Sequence, residues 1–355
     1  MIIQRLDVFR TRTGFGACLM AALAFIFMGC GQLHGLLEQD DKTAAECVEA
    51  GRVLKVGFYA DFPPVSYSAD ADPNAGGFNE HTGYEADLLT ALEAVDDLGA
   101  TFIRSGIAEW PGIWLKSAEP EYDLIGGGIT ILESRTRDEN GVPKIAFTSG
   151  HITFRQSLLV RAEDADRLSA HAALASDVRV GVLSATTGEA RLLQLTGIAD
   201  SEGVLTKGTR VSTPNGEVEA DGTADYMITA AQASPSLEGR ALIIPAADHM
   251  PQVVYLSGDA ELLEALAGGS IDAIARGEIG NRGASHVSGG AFVVTALDDQ
   301  VEYGGFTLAL EDADLLACID ERLYFLTDGG NIGYGEWLEN PAVFLERAAM
   351  WNAKE

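Results

Sequence analysis

The chain is poor in basic residues. It sets 24 Lys and Arg against 53 Asp and Glu, for a formal net charge of −29. A nucleic-acid partner needs a basic face, so this balance argues against one. It suits instead a soluble surface that repels its own copies, and a monomer is expected. Cysteine and histidine are also scarce, at four and six in 355 residues. None falls in a CxxC or Cys/His cluster with metal spacing, so neither a metal nor a cofactor is expected. Long apolar runs are missing too. The stretch Ala17 to Met28 is about a dozen residues, where a membrane helix needs about 20. No internal repeat, low-complexity tract, Ser/His/Asp or Cys/His constellation presents itself. What remains is a chain with 47% hydrophobic residues, too long for one ordinary core, which suggests about two domains.

The short apolar run has a use. Arg5, Arg10 and Arg12 precede it, and together they read as an export signal. The run ends in Phe27-Met28-Gly29-Cys30, which resembles a bacterial lipoprotein cleavage site. That resemblance implies removal of residues 1–29, lipid on Cys30, a polar tether over 30–50, and a place in the periplasm or at the cell surface. An ordinary cleaved signal peptide is the alternative. With Cys30 lipidated, Cys47 and Cys318 remain. In an oxidising compartment they are a plausible disulfide, and two buried thiols are the other reading.

Two stretches carry candidate chemistry. Tyr122 to Arg135 reads YDLIGGGITILESR. An apolar run breaks into Gly126, Gly127 and Gly128, where the backbone can approach a ligand because no Cβ intervenes. Thr130 adds a hydroxyl, and Arg135 a planar fork of donors suited to a carboxylate. Arg179 to Leu192 reads RVGVLSATTGEARL. There a strand pattern runs into Thr186, Thr187, Gly188 and Glu189, an N-cap signal at the start of a helix. Free N–H groups and the dipole make a helix start an anion site. Two half-sites on two lobes would close on one small anion.

Around these stretches strands and helices alternate. Val53–Tyr59 reads as a strand, Ala86–Val95 as a helix, and Glu109–Leu115 as the opening of another helix. Alternation implies a mostly parallel sheet whose ligands sit beyond the carboxyl ends of the strands. Phe62, Trp110 and Gly126–Thr130 fall at or after such ends. Later strands are expected at Val178–Leu183, Ala241–Ile244, Ile271–Ala275 and Ala291–Thr295. A turn is expected at Thr213-Pro214-Asn215-Gly216. Helix is expected over Asp314–Leu326 and Tyr334–Trp351.

The order LKVGFYADFPPVSY (Leu54–Tyr67), TGYEADLL (Thr82–Leu89), YDLIGGGITILESR, RVGVLSATTGE and GSIDAIARGE (Gly269–Glu278) resembles the family 3 extracytoplasmic solute-binding proteins of polar amino-acid ABC importers. The resemblance covers roughly residues 51 to 350. It implies an α/β type II periplasmic-binding fold of two lobes, with the ligand in the cleft between them. Lobe 1 would be 51–160 plus 304–355. Lobe 2 would be 161–303, with an insertion within about 197–240. Ser157–Arg161 and Gly304–Leu310 would be the two hinge strands. The implied function is capture of a small carboxylate-bearing ligand, an amino acid first of all, and its delivery to an ABC permease in the inner membrane. The implied site is Phe62 stacking on the ligand, with Trp110, Gly127, Gly128, Thr130 and Arg135 on lobe 1 and Thr186 and Thr187 on lobe 2. Two departures stand out. The family's acid for the ligand α-ammonium falls at Gly277; either Glu278, next to it, takes the role, or there is no ammonium partner, which would suit a carboxylate lacking an α-amino group. A lobe-1 acid sometimes used for basic side chains is replaced by Tyr59, which argues against a lysine-, arginine- or histidine-like ligand. A cyclohexadienyl dehydratase-like enzyme, with Glu278 or Glu189 as general acid, and a ligand sensor module are the alternatives.

Overall fold

The strand Arg52–Tyr59 lies inside the first sheet, between Ala100–Ile107 and Leu124–Gly126, and pairs in parallel with both. Its last four residues are all buried, as an interior strand requires. The sheet is completed by Thr307–Ala309 and Ile145–Phe147, which pair antiparallel. The structure is a computed structural model that describes residues 47–49 and 51–354. The export signal, Cys30 and nearly all of the tether expected from the sequence lie outside the described residues. Residues Ala44–Glu355 cluster as one contact unit. No helix among the described residues is long and apolar enough to cross a membrane.

The second sheet has eight strands. Its order is Gly216–Glu219, Arg210–Thr213, Leu242–Ile244, Gln252–Tyr255, Arg179–Val182, Ala273–Gly277, Ile152–Arg161 and Phe292–Gly304. Only Arg179–Val182 with its two neighbours pairs in parallel; the flanks are antiparallel, so the sheet is more mixed than strand–helix alternation suggests. The segment 197–240 supplies the outer hairpin, and the Pro214-Asn215 turn joins Thr213 to Gly216 as the turn chemistry predicts. The chain passes between the sheets twice. One passage lies between Ile145–Phe147 and Ile152–Arg161, the other between Phe292–Gly304 and Thr307–Ala309. The second expected hinge strand is therefore split, with Gly305 and Phe306 between the two pieces.

Each of the two large sheets has its own core. Leu54, Val56, Leu88, Leu92, Phe306 and Leu308 are buried around the first, where the C-terminal Leu315, Ile319 and Phe344 join them. Val160, Val180, Val182, Leu193, Ile243 and Val253 are buried around the second. Each such side chain contributes about 1.5–3 kcal/mol by leaving water. The helix Tyr84–Glu93 starts two residues earlier than its leucine spacing suggests, because Gly83, at φ 102°, turns the chain into it. The helix expected from Glu109 is a 3-10 helix over Ile113–Ala118, since Pro111 and a left-handed Gly112 precede it. The last helical stretch is two helices, Tyr334–Glu339 and Val343–Asn352, broken where Pro341 follows Asn340. Cys47 and Cys318 are joined as a disulfide, with Cα atoms 5.7 Å apart, which ties the chain ahead of the first strand to the helix Ala313–Leu326.

Candidate functional site

A cavity of about 70 Å³ lies where the two sheets meet. From the first-sheet side it is lined by Tyr59, Asp61, Phe62, Trp110, Gly128 and Thr130. From the second-sheet side come Thr186, Thr187, Gly188, Asp259 and Arg276, with Phe154 and Gln156 from the strand Ile152–Arg161 that follows the first passage. So the structure brings together Phe62, Trp110, Gly128, Thr130, Thr186 and Thr187, six residues that the sequence nominates. Gly127, Arg135 and Glu278 do not line the cavity.

The glycine turn is as tight as three glycines suggest. Gly127 and Gly128 sit at φ 138° and 66°. A Cβ on Gly127 would meet that of Tyr59 at 2.5 Å, and one on Gly128 would meet the Phe62 ring at 2.6 Å. The amides so exposed are already occupied. Glu85, wholly buried, accepts from the N–H of Gly127 at 2.6 Å and of Gly128 at 2.9 Å, and lies 3.0 Å from the His151 ring. The anion that this turn holds is the protein's own.

Arg135 is buried as well, and its fork faces backbone. Nε and one terminal nitrogen donate to the Ala230 carbonyl at 3.2 and 2.9 Å. The terminal nitrogens also reach the carbonyls of Ala185 at 3.1 Å and Thr130 at 3.2 Å. The guanidinium stacks on Trp114, 4.4 Å from the ring centre. Burial brings its pKa down to about 9, and Glu302 opposes the shift. Ala185 and Ala230 belong to the second-sheet half, Ala230 to the segment 197–240. Arg135 is thus spent on holding the two halves together, and the carboxylate fork expected in the cleft is not there. Trp110 adds to the same contact, its indole donating to Ala185 O at 2.8 Å.

The helix Thr187–Leu195 is built as its sequence implies. Thr186 is the N-cap and accepts from the Glu189 amide at 3.1 Å. The Glu189 carboxylate reaches one residue further back than a capping box would, to the Ala185 amide at 2.7 Å, and is also held by Arg240 and by Tyr255 at 2.7 Å. Burial raises its pKa while Arg240 opposes. Among the described residues, the amides of Thr187 and Gly188 have no acceptor within the protein, and both residues line the cavity. Glu278 pairs with Arg282 on its own helix. Neither candidate general acid, Glu189 or Glu278, lines the cavity.

Sequence reasoning missed several groups here. Gln156 donates through Nε2 to Thr187 Oγ1 at 2.9 Å and to Glu302 at 3.0 Å. Glu302 also accepts from Thr130 at 3.2 Å, and burial raises its pKa against those donors. At the other end Asp61 accepts from the Asp259 amide at 3.3 Å, and Asp259 pairs with Arg276. Burial, then the Asp259 carboxylate, raises the Asp61 pKa. Tyr59 stands where a family acid was expected, but Asp61, two residues on, supplies one. Gln156 and Glu302 lie on long strands that read as connectors, and nothing local flags them. Among the described residues no group of three or more His, Cys, Asp and Glu could hold a metal ion.

No protein-family model matches the chain, and no curated protein matches it. Solved structures do. AbpA from Streptococcus pneumoniae, an amino acid ABC transporter substrate-binding protein bound to L-arginine, aligns over 85% of this chain and 97% of its own, at 15% identity and a TM-score of 0.53. An ancestral arginine-binding protein bound to arginine aligns over 85% and 99%, at 15% and 0.53. The ancestral amino acid-binding protein AncCDT-1, a precursor of cyclohexadienyl dehydratase, aligns over 84% and 95%, at 20% and 0.50. At such identities the likeness is one of fold. The chain has the two-lobed α/β architecture of type II periplasmic binding proteins.

Proposed function

We propose that this chain is an exported solute-binding protein of the family 3 type. It closes two lobes on a small ligand bearing a carboxylate, an amino acid in the first instance, and hands it to an ABC permease. The observation that carries the reading is the cavity between the lobes, lined from both sides, with Thr187 and Gly188, whose amides have no acceptor among the described residues, in its wall. A buried carboxylate needs several donors, and a helix start provides them with a favourable dipole. Closure then follows from contacts that only the closed form makes, and those across Arg135 and Trp110 are of that kind. The structural neighbours named above for arginine or amino acids point the same way. Two carboxyls, Asp61 and Asp259, face one guanidinium, Arg276, at the far end of the cleft. That excess of negative charge favours a ligand with a cationic side chain. Export rests on the N-terminal segment, with Cys30 as its lipid anchor, and the Cys47–Cys318 disulfide suits an oxidising compartment. With Glu189 and Glu278 turned from the cleft, the dehydratase reading loses its two candidate acids.

The test is a thermal-shift screen of the mature chain against the twenty common L-amino acids and small carboxylates. A ligand of the folded state at a hundred times its Kd stabilises by about 2.7 kcal/mol. A shift with one or a few amino acids is the expected result. No shift with any compound in the screen would sink the reading.

A further inference from the structure

The family's usual partner for a ligand ammonium is absent at Gly277, and Glu278 does not replace it. The ladder shows what stands there instead. Gly277 is paired across the sheet with Gln156, on the antiparallel strand Ile152–Arg161. A side chain at Gly277 would have open space, its Cβ meeting only Phe154 at 3.8 Å. Gln156 is almost wholly buried and lines the cavity. Its Nε2 is committed to Thr187 Oγ1 and the Glu302 carboxylate. That fixes the amide's orientation, because a flip would press its oxygen against the carboxylate. Its Oε1 then has no donor among the described residues. A Cβ built on Gly188 would lie 3.1 Å from this oxygen, so Oε1 faces the helix start whose amides are free. An acceptor without a donor thus lies beside donors without an acceptor. The oxygen is buried, and an acceptor so placed is costly until it is paired.

We infer that Gln156 Oε1, backed by Glu302, receives an N–H donor of the ligand, while the amides of Thr187 and Gly188 receive the adjoining anionic group. This rests on the solute-binding reading and sharpens it. The ligand is a zwitterion whose ammonium and carboxylate are close together, and its ammonium is read by a neutral oxygen rather than by an acid on the strand Ala273–Gly277. Gly188 belongs to the same device, since any side chain there would cover Oε1.

Isothermal titration of matched pairs tests it. Each amino acid found by the screen is set against the carboxylate that lacks only its α-amine, such as 5-guanidinopentanoate for arginine or propanoate for alanine. The natural chain binds the amino acid at least about tenfold more tightly, the worth of one hydrogen bond to a charged group. Gln156→Met, close in size, brings that ratio to within about threefold, chiefly by weakening the amino acid. Gly277→Asp places a carboxylate in the open position and widens the ratio, and in the double variant it restores what Gln156→Met removes. A ratio unchanged by Gln156→Met overturns the inference. Should that variant fail to fold, Gly277→Asp decides alone, and an unmoved ratio overturns it. A natural chain that binds the des-amino carboxylate as well as the amino acid also overturns it, while leaving the solute-binding reading intact. A natural chain that binds neither overturns both.

Discussion

Two backbone cradles border the cleft, through Gly128 and Gly188, and they are in opposite states. The glycine turn of lobe 1 offers the amides of Gly127 and Gly128, and Glu85 fills them. The helix start of lobe 2 offers those of Thr187 and Gly188, and nothing within the described protein does. By sequence they look alike, each a strand ending in small residues. The difference is one buried carboxylate 42 residues before the turn. An anion-shaped piece of backbone is therefore evidence of a ligand only when the chain has not supplied its own anion.

Removing that anion is the strongest way to break the contrast. Glu85→Ala strands two buried N–H groups and the His151 ring, and is expected to cost about 4 kcal/mol, read from the urea midpoint. Formate, small enough for the space left, should then restore part of the loss in the variant and none in the natural chain. If the variant were as stable as its parent, Glu85 would not be what holds the turn.

How far the sequence reaches can be judged from these same residues. The N-cap at Thr186 is legible because cap, helix start and acid lie within four residues of one another. The close approach at Gly127 and Gly128 is legible because only glycine allows it. The occupant of that turn is not, since Glu85 reads as one acid on a helix and its orientation depends on how that helix packs. Arg135 is misread for the same reason. Its type suits a carboxylate, but the carbonyls it meets come from residues 185 and 230, and local pattern says nothing of contacts across 50 or 95 positions. Gln156 and Glu302 become a pair only when two long strands are laid in register. Part of the order of elements, by contrast, comes through, because hydrophobic periodicity is local; the strands Ala100–Ile107 and Gln252–Tyr255 and the helix Asp259–Ala267 do not. Its errors include those at Gly83, Pro111, Gly112 and Pro341, where backbone chemistry overrides periodicity.

The open cradle can be weakened more gently. Thr186→Ala removes the cap that receives the Glu189 amide and should lower stability by about 1 kcal/mol, by the same urea measurement. The loss stays well below that of Glu85→Ala, because the helix start is still partly solvated and water can replace the hydroxyl. A loss as large as the Glu85 one would mean that the helix start is as thoroughly buried as the glycine turn, and the contrast would fail.

The smallest effect tests whether the open cradle is strained. Ala185, just before the cap, sits at φ 58°, a left-handed conformation that costs a non-glycine residue about 1–2 kcal/mol. It is held there from three sides. Glu189 takes its amide, and Trp110 and Arg135 from lobe 1 donate to its carbonyl. Glycine would relieve the strain, but would lose a buried methyl and about 0.5–1 kcal/mol of chain entropy. The balance for Ala185→Gly is a change within about 0.8 kcal/mol of zero. A clear loss, above about 1 kcal/mol, would mean that the methyl packing outweighs the backbone strain. A gain would place stored strain at the residue whose carbonyl joins the lobes. Opening them would then release part of what closing them costs, and the contact would be poised to yield.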